Sequence, residues 1–191
     1  MSPIRPVPKG ELELQATLGG PIASWGVPFP SPHLSAGGSY GLTDWLDASA
    51  HVHLSPLLAG VAGLDVGASA LLLDDRGAIP ALTVSARAYG FTDFEGAAAY
   101  LDGTGTVSWR LLNGRLWPYA ACTVFGQLSH GPLFAPAVGG LYWFESTGLQ
   151  LEAQWIQPGV PNAHQAIPWV GIAGQGALSV VMSVRFRLEG W

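Results

Sequence analysis

Near the end of the chain, Leu178, Val180, Met182, Val184, Phe186 and Leu188 alternate with Ser179, Val181, Ser183, Arg185 and Arg187. Side chains of a β-strand flip face at every residue, so such a segment carries one apolar face and one face with two arginines. The same two-faced pattern recurs along most of the chain. It predicts strands over 11–19, 33–42, 46–55, 64–73, 81–91, 99–112, 116–128, 135–144, 148–157 and the final segment up to Leu188. The Asn113-Gly114 pair is the strongest hairpin signal. The alternation is poorest over 135–144, and Pro118 is admissible only near the start of its strand.

These segments have the length of a tilted strand crossing a bilayer. Connections run long, short, long, short, an order that holds if both termini lie at the short-turn end. The expected fold is therefore all-β: a closed antiparallel up-and-down transmembrane β-barrel of about ten strands, with short periplasmic turns and longer extracellular loops. Residues 1–10 form a Pro-rich N-terminal extension, and residues 11–191 a single transmembrane barrel domain.

Composition supports this. Hydrophobic residues make up 49% of the chain and charged residues 11%, against about 25% charged in a soluble domain. No apolar run reaches the roughly 18 residues of a membrane helix, and backbone groups in lipid must all be paired, which leaves a closed barrel. Gly 26 and Pro 15 argue against long helices. A net charge of −5 carries no nucleic-acid footprint. The lone Cys122 excludes an intrachain disulfide. Residues 2–8 hold no apolar signal-peptide core, so an exported chain is expected here in mature form, with its signal peptide removed and a start methionine added.

The segment Ser39–Asp47 resembles a periplasmic hairpin of small Gram-negative outer-membrane β-barrel proteins, and the Asn113–Tyr119 hairpin is similar. The resemblance covers nearly the whole chain as a pattern and implies residence in the bacterial outer membrane. Such proteins commonly end in an aromatic residue in phase with the outward face. Here Trp191 is terminal but out of phase with Phe186 and Leu188.

Phase assigns the candidate site residues. Glu11, Glu13, Asp47, His51, His53, Asp65, Arg87, Asp102, Arg110, Glu152, Arg185 and Arg187 point inward, as a polar lumen network of both signs. Trp45, Trp109, Trp117 and Trp143 lie near short turns and Trp155 at an opposite strand end, so they are expected to form interface belts. The stretches 14–43 and 153–184 hold no Asp, Glu, Lys or Arg. Their apolar loops, with Trp25, Phe29, Ile167 and Trp169, are expected either to meet a partner or to fold into the barrel mouth.

A barrel near ten strands should be largely filled by side chains. The expected role is structural or in assembly: contact with an envelope protein partner, through the loops or through the Ala-rich wall of 46–55, 64–73 and 81–91. A narrow, porin-like channel for small solutes is the alternative. The third reading is a lipid-modifying hydrolase. Some outer-membrane lipid hydrolases carry His and Ser on a barrel strand, which the run His51–Ser55 faintly resembles, but Pro56 follows the serine and no acidic orienter is in place. Outer-membrane aspartyl-type proteases need acids and a His at the rim, and Asp93, Glu95 and His130 are too scattered for that. No enzyme activity, cofactor or metal is expected; membrane lipid is the expected surrounding partner.

Overall fold

The computed structural model describes residues 1–25, 27–30, 33–127, 130–162 and 169–188. Eleven strands follow one another: β1 (Leu12–Trp25), β2 (Val27–Pro30), β3 (His33–Thr43), β4 (Leu46–His53), β5 (Ala62–Leu73), β6 (Ala81–Thr92), β7 (Ala97–Ser108), β8 (Leu116–Gln127), β9 (His130–Phe144), β10 (Thr147–Pro161) and β11 (Gln175–Leu188). The 3₁₀ turn Pro56–Ala59 lies between β4 and β5. All strand pairings are antiparallel. β11 returns to β1, from Leu12↔Leu188 to Pro21↔Ser179, and closes the barrel. Among the described residues, β2 pairs with the far part of β1, Ile22–Trp25. Ten strands therefore form the wall, and β2 is a flap on it.

The wall is inverted relative to a soluble protein. On β10, Gln150 and Glu152 are fully buried, whereas Leu151 between them is 57% exposed. The expected phase holds on β1, β4, β5, β6, β7, β10 and β11, where Glu13, Asp47, Asp65, Thr83, Asp102, Glu152 and Ser183 are buried. β9 shows why its alternation is poor. Its inward residues Ala135, Ala137, Leu141 and Trp143 are apolar and buried, and the last three join Ile4, Tyr119 and Ala121 in one cluster. The lumen has a small hydrophobic core.

The start of β1, the end of β11 and the turns at 44–45, 74–80, 109–115 and 145–146 lie at one end of the barrel, the turn end; the opposite ends of the strands form the loop end. Strands reach further into the loop end than the alternation suggests. Where loops are expected at 92–98 and 129–134, β6 runs to Thr92, β7 starts at Ala97 and β9 starts at His130, because the ladders run on and satisfy the backbone. At the turn end β7 stops at Ser108 rather than Leu112. The chain leaves β6 there but stays beside β8, with Trp109 N–H on the Pro118 carbonyl at 3.2 Å, while Arg110 reaches the neighbouring turn with its backbone N–H on Asp75 Oδ2 at 3.0 Å. Leu112, Asn113 and Gly114 then take positive φ to form the hairpin.

The N-terminal segment is not outside the barrel. It enters from the turn end, where Gly10 N–H donates to the Gly41 carbonyl at 2.9 Å. Gly41 is required at this crossing, since a Cβ there would stand 1.9 Å from the Pro8 carbonyl oxygen. Ser2, Ile4 and Val7 are buried inside the lumen.

Candidate functional site: the lumen

The inward charges sort into four groups. On β1 and β11, Glu13 accepts from Arg185 at 2.8 Å and from Arg187 at 3.3 Å, and Arg187 Nε stands 3.4 Å from Glu11. Arg185 also donates to Gln150. Across β6 and β7, Arg87 lies 3.0 Å from Asp102, which accepts as well from the Tyr89 hydroxyl. On β4 and β5, Asp65 stands 3.1 Å from His51 Nδ1 and 2.9 Å from His53 Nε2, and His53 Nδ1 lies 3.1 Å from His33 Nε2. These three groups join residues that the register places on adjacent strands: Gln15↔Arg185 sits beside Glu13, Arg87 faces Asp102, and His51 faces Asp65.

The fourth group holds the N-terminal segment. Glu152 accepts from the Ser2 backbone N–H at 2.9 Å and from the Tyr119 hydroxyl at 2.8 Å. Gln150 Nε2 donates to the Ser2 carbonyl at 3.2 Å. The Thr83 hydroxyl donates to the Ile4 carbonyl at 2.9 Å. Asp47 accepts from Val7 N–H at 2.9 Å and from Ser69 N–H at 3.1 Å. An irregular segment outside the sheet thus has backbone polar groups met by lumen side chains, as buried backbone requires. At the mouth Arg5 bridges Asp74, at 2.5 Å, and Asp75.

Three assignments from phase or position need correction. Arg110 is not in the lumen: it lies past the end of β7, exposed, and pairs with Asp75 at 2.8 Å and Asp74 at 3.2 Å. Trp117 and Trp143 do not belong to a lipid belt. Trp143 is buried inside, edge-on to Trp117 at 6.1 Å, with Arg187 stacked over it at 4.3 Å and Arg5 over Trp117 at 5.6 Å. Nearness to a turn says nothing about which face a side chain takes; the inward phase of Tyr119 on the same strand would have placed Trp117 inside. Trp45 is exposed at the turn end, Trp109 is half-exposed there, and Trp155 is half-exposed toward the loop end with Nε1 on the Gln175 carbonyl.

Reading the strands alone also misses Arg5, Asp74, Asp75 and the anchoring role of Gln150. Gln150 was signalled by its phase; Arg5 had no periodic signal. Among the loop residues, Trp25 and Phe29 lie on the β1–β2 hairpin, which pairs Trp25↔Val27 and Ala23↔Phe29. Trp169 bridges Ala23. Ile167, and the phase of Trp191, lie outside the described residues. Ser55 Oγ accepts from Leu34 N–H at 2.8 Å, while the ring nitrogens of His53 face His33 and Asp65. Among the described residues, no group of three or more His, Cys, Asp or Glu side chains is arranged to hold a metal ion.

No protein-family model and no curated protein matches this sequence. Solved structures do. An outer membrane channel from Pseudomonas putida F1 aligns over 98% of this chain and 100% of that one, with TM-score 0.50 and 9% identity. The translocator domain of the autotransporter NalP from Neisseria meningitidis aligns over 95% of this chain and 90% of that one, with TM-score 0.48 and 11% identity. The NanC porin aligns over 93% and 100%, with TM-score 0.48 and 12% identity. This chain has the fold of the small bacterial outer-membrane β-barrels, a closed and wholly antiparallel barrel with a ten-stranded wall.

Proposed function

We propose that this protein is an outer-membrane barrel stoppered by its own N-terminal segment, with a structural or assembly role rather than a conducting or enzymatic one. The observation that carries the reading is the path of residues 2–7 through the lumen. They are held by Glu152, Gln150, Thr83 and Asp47 and sealed by the Ile4–Leu141–Trp143 cluster. Such a stopper occupies the cross-section that a solute would need. What remains for contact is the outside. Across four strands Ala48, Ala68, Ala86 and Gly103 stand in one outward row, and small residues let another membrane element approach closely. At the loop end Leu57, Phe94 and Phe134 are exposed. These surfaces support a protein partner in the envelope.

A narrow channel is the second reading, favoured by a cavity of ≈800 Å³ that persists beside the stopper. Planar-bilayer recording separates the two. The intact protein is expected to show no steady unitary current, and a variant lacking residues 1–8 is expected to show one. Steady currents from the intact protein would establish the channel instead. Extraction from native membranes in mild detergent should bring down a stoichiometric envelope protein; a lone barrel would remove the partner role.

A further inference from the structure

We infer that the loop-end half of the lumen is a binding chamber for a small uncharged molecule, with an aromatic or aliphatic body and a hydrogen-bonding head. The inference goes beyond the stopper and does not depend on it: one is read in bound ligand, the other in current.

Size comes first. The lumen cavity of ≈800 Å³ reaches from Val7 and Asp47 near the turn end to Pro56 and Trp169 among the loops. Small-molecule sites span roughly 300–1,000 Å³.

The lining changes character along its length. Toward the loop end it is a collar of Phe91, Tyr100, Phe125, Leu133, Ile156 and Trp169. A few residues nearer the turn end, the same inward phase carries Arg87, Asp102, Thr123 and Glu152. Covering apolar surface with an apolar body is favourable because it releases that surface from water. A lumen meant only to hold water gains nothing from such a collar, whereas a ligand body does.

Beneath the collar is a hydrogen-bonding wall. The chain Asp65–His53–His33 climbs toward the loop end, and the His53 ring meets Phe91 at 5.2 Å and Tyr89 at 5.9 Å between centroids. The floor also holds the Ser85 hydroxyl, which is buried without a protein partner. Donors and acceptors thus stand next to the apolar collar, as an amphipathic ligand needs.

The pairing of charges favours a neutral ligand over an ion. The guanidinium groups of the lining already have carboxylate partners, and its other carboxylates, Asp65 and Asp47, are already hydrogen-bonded or in close contact; the Met1 amine also borders the cavity. Arg87 is matched by Asp102, Arg185 by Glu13, and Arg5 by Asp74 and Asp75, while Asp65 is in contact with His51 and His53. Asp47 is taken by the N–H groups of Val7 and Ser69. A charged ligand would have to break a buried pair, which costs far more than it returns. A hydroxyl or amide only has to meet the histidines or Ser85.

The probes are 2-naphthol, neutral at pH 7, and 2-naphthoate, its anionic counterpart. Each is measured by equilibrium dialysis against the detergent-solubilised full chain, with protein-free micelles as the blank. The expected result is saturable uptake of one 2-naphthol per barrel above the blank, with 2-naphthoate at least about tenfold weaker. Leu133→Trp, which fills the collar from an already exposed position, should abolish the uptake while the barrel keeps its folded electrophoretic mobility. Phe91→Ala should weaken it. Uptake equal to the micelle blank, equal binding of the anion, or a Leu133→Trp variant that binds like the parent would each overturn the inference.

Discussion

The most consequential single residue in the lumen is Glu13. It is buried and takes two guanidinium groups, Arg185 at 2.8 Å and Arg187 at 3.3 Å. Its removal would strand Arg185, itself buried, with a hydrogen bond to the neutral Gln150 but without its carboxylate. Breaking a buried pair from one side costs about 3–5 kcal/mol, because the remaining charge is left uncompensated. Glu13→Ala should lose stability on that scale, and Glu13→Gln less, since it keeps an acceptor. Urea unfolding in lipid vesicles, followed by tryptophan fluorescence, measures both. A loss below about 1 kcal/mol in Glu13→Ala would mean that water reaches this pair freely.

At the scale of elements, the turn between β5 and β6 acts as the latch of the N-terminal segment. Asp74 and Asp75 hold Arg5 of that segment and Arg110 of the next turn. Burial alone would raise the Asp75 carboxyl. The Arg110 backbone N–H, the Arg110 guanidinium and the Arg5 guanidinium outweigh it and hold the group well below the usual carboxylate range. A depressed carboxyl stabilises the fold fully at pH values above its unfolded value of about 4, and that contribution is lost as the pH falls through the folded value. The stability gap between the wild type and Asp75→Asn should therefore be constant from pH 5 to 8 and shrink progressively below about pH 4. Unfolding titrations across pH 2.5 to 8 test this. A gap that stays unchanged at the acid end would show that Asp75 is not held as an anion. The other latch element, the run from Pro3 to Pro8, has no periodicity of its own, and its conformation comes from the barrel that surrounds it.

For the molecule as a whole, the inversion of faces makes one prediction. Leu151 sits in mid-strand on β10, outward and exposed. An arginine placed there near the bilayer midplane costs about 2–4 kcal/mol. Leu151→Arg should lower folding stability in vesicles by that amount, and a neutral result would mean that this face does not meet lipid. Strand count, phase and closure were all readable from alternation, because side-chain direction is a local property of extended backbone and lipid leaves no unpaired edge. Glu13, Asp65, Asp102 and Glu152 could be assigned to the lumen on that basis. Their partners could be read where register puts them on neighbouring strands, as with Arg87 and Asp102. β9 resisted, because a strand that is apolar on both faces carries no phase signal. Its inward Leu141 and Trp143 make sense only against Ile4. Arg110 escaped phase because phase does not show where a strand ends, and Trp117 and Trp143 escaped it because nearness to a turn does not say which face a side chain takes. By itself the sequence determined a barrel with a polar interior, through a periodicity that each strand expresses alone. Only the tertiary structure decided what occupies that interior. Ser2 meets Glu152, Ile4 meets Thr83 and Val7 meets Asp47 across long stretches of chain, and contacts between segments so far apart leave no pattern within either one.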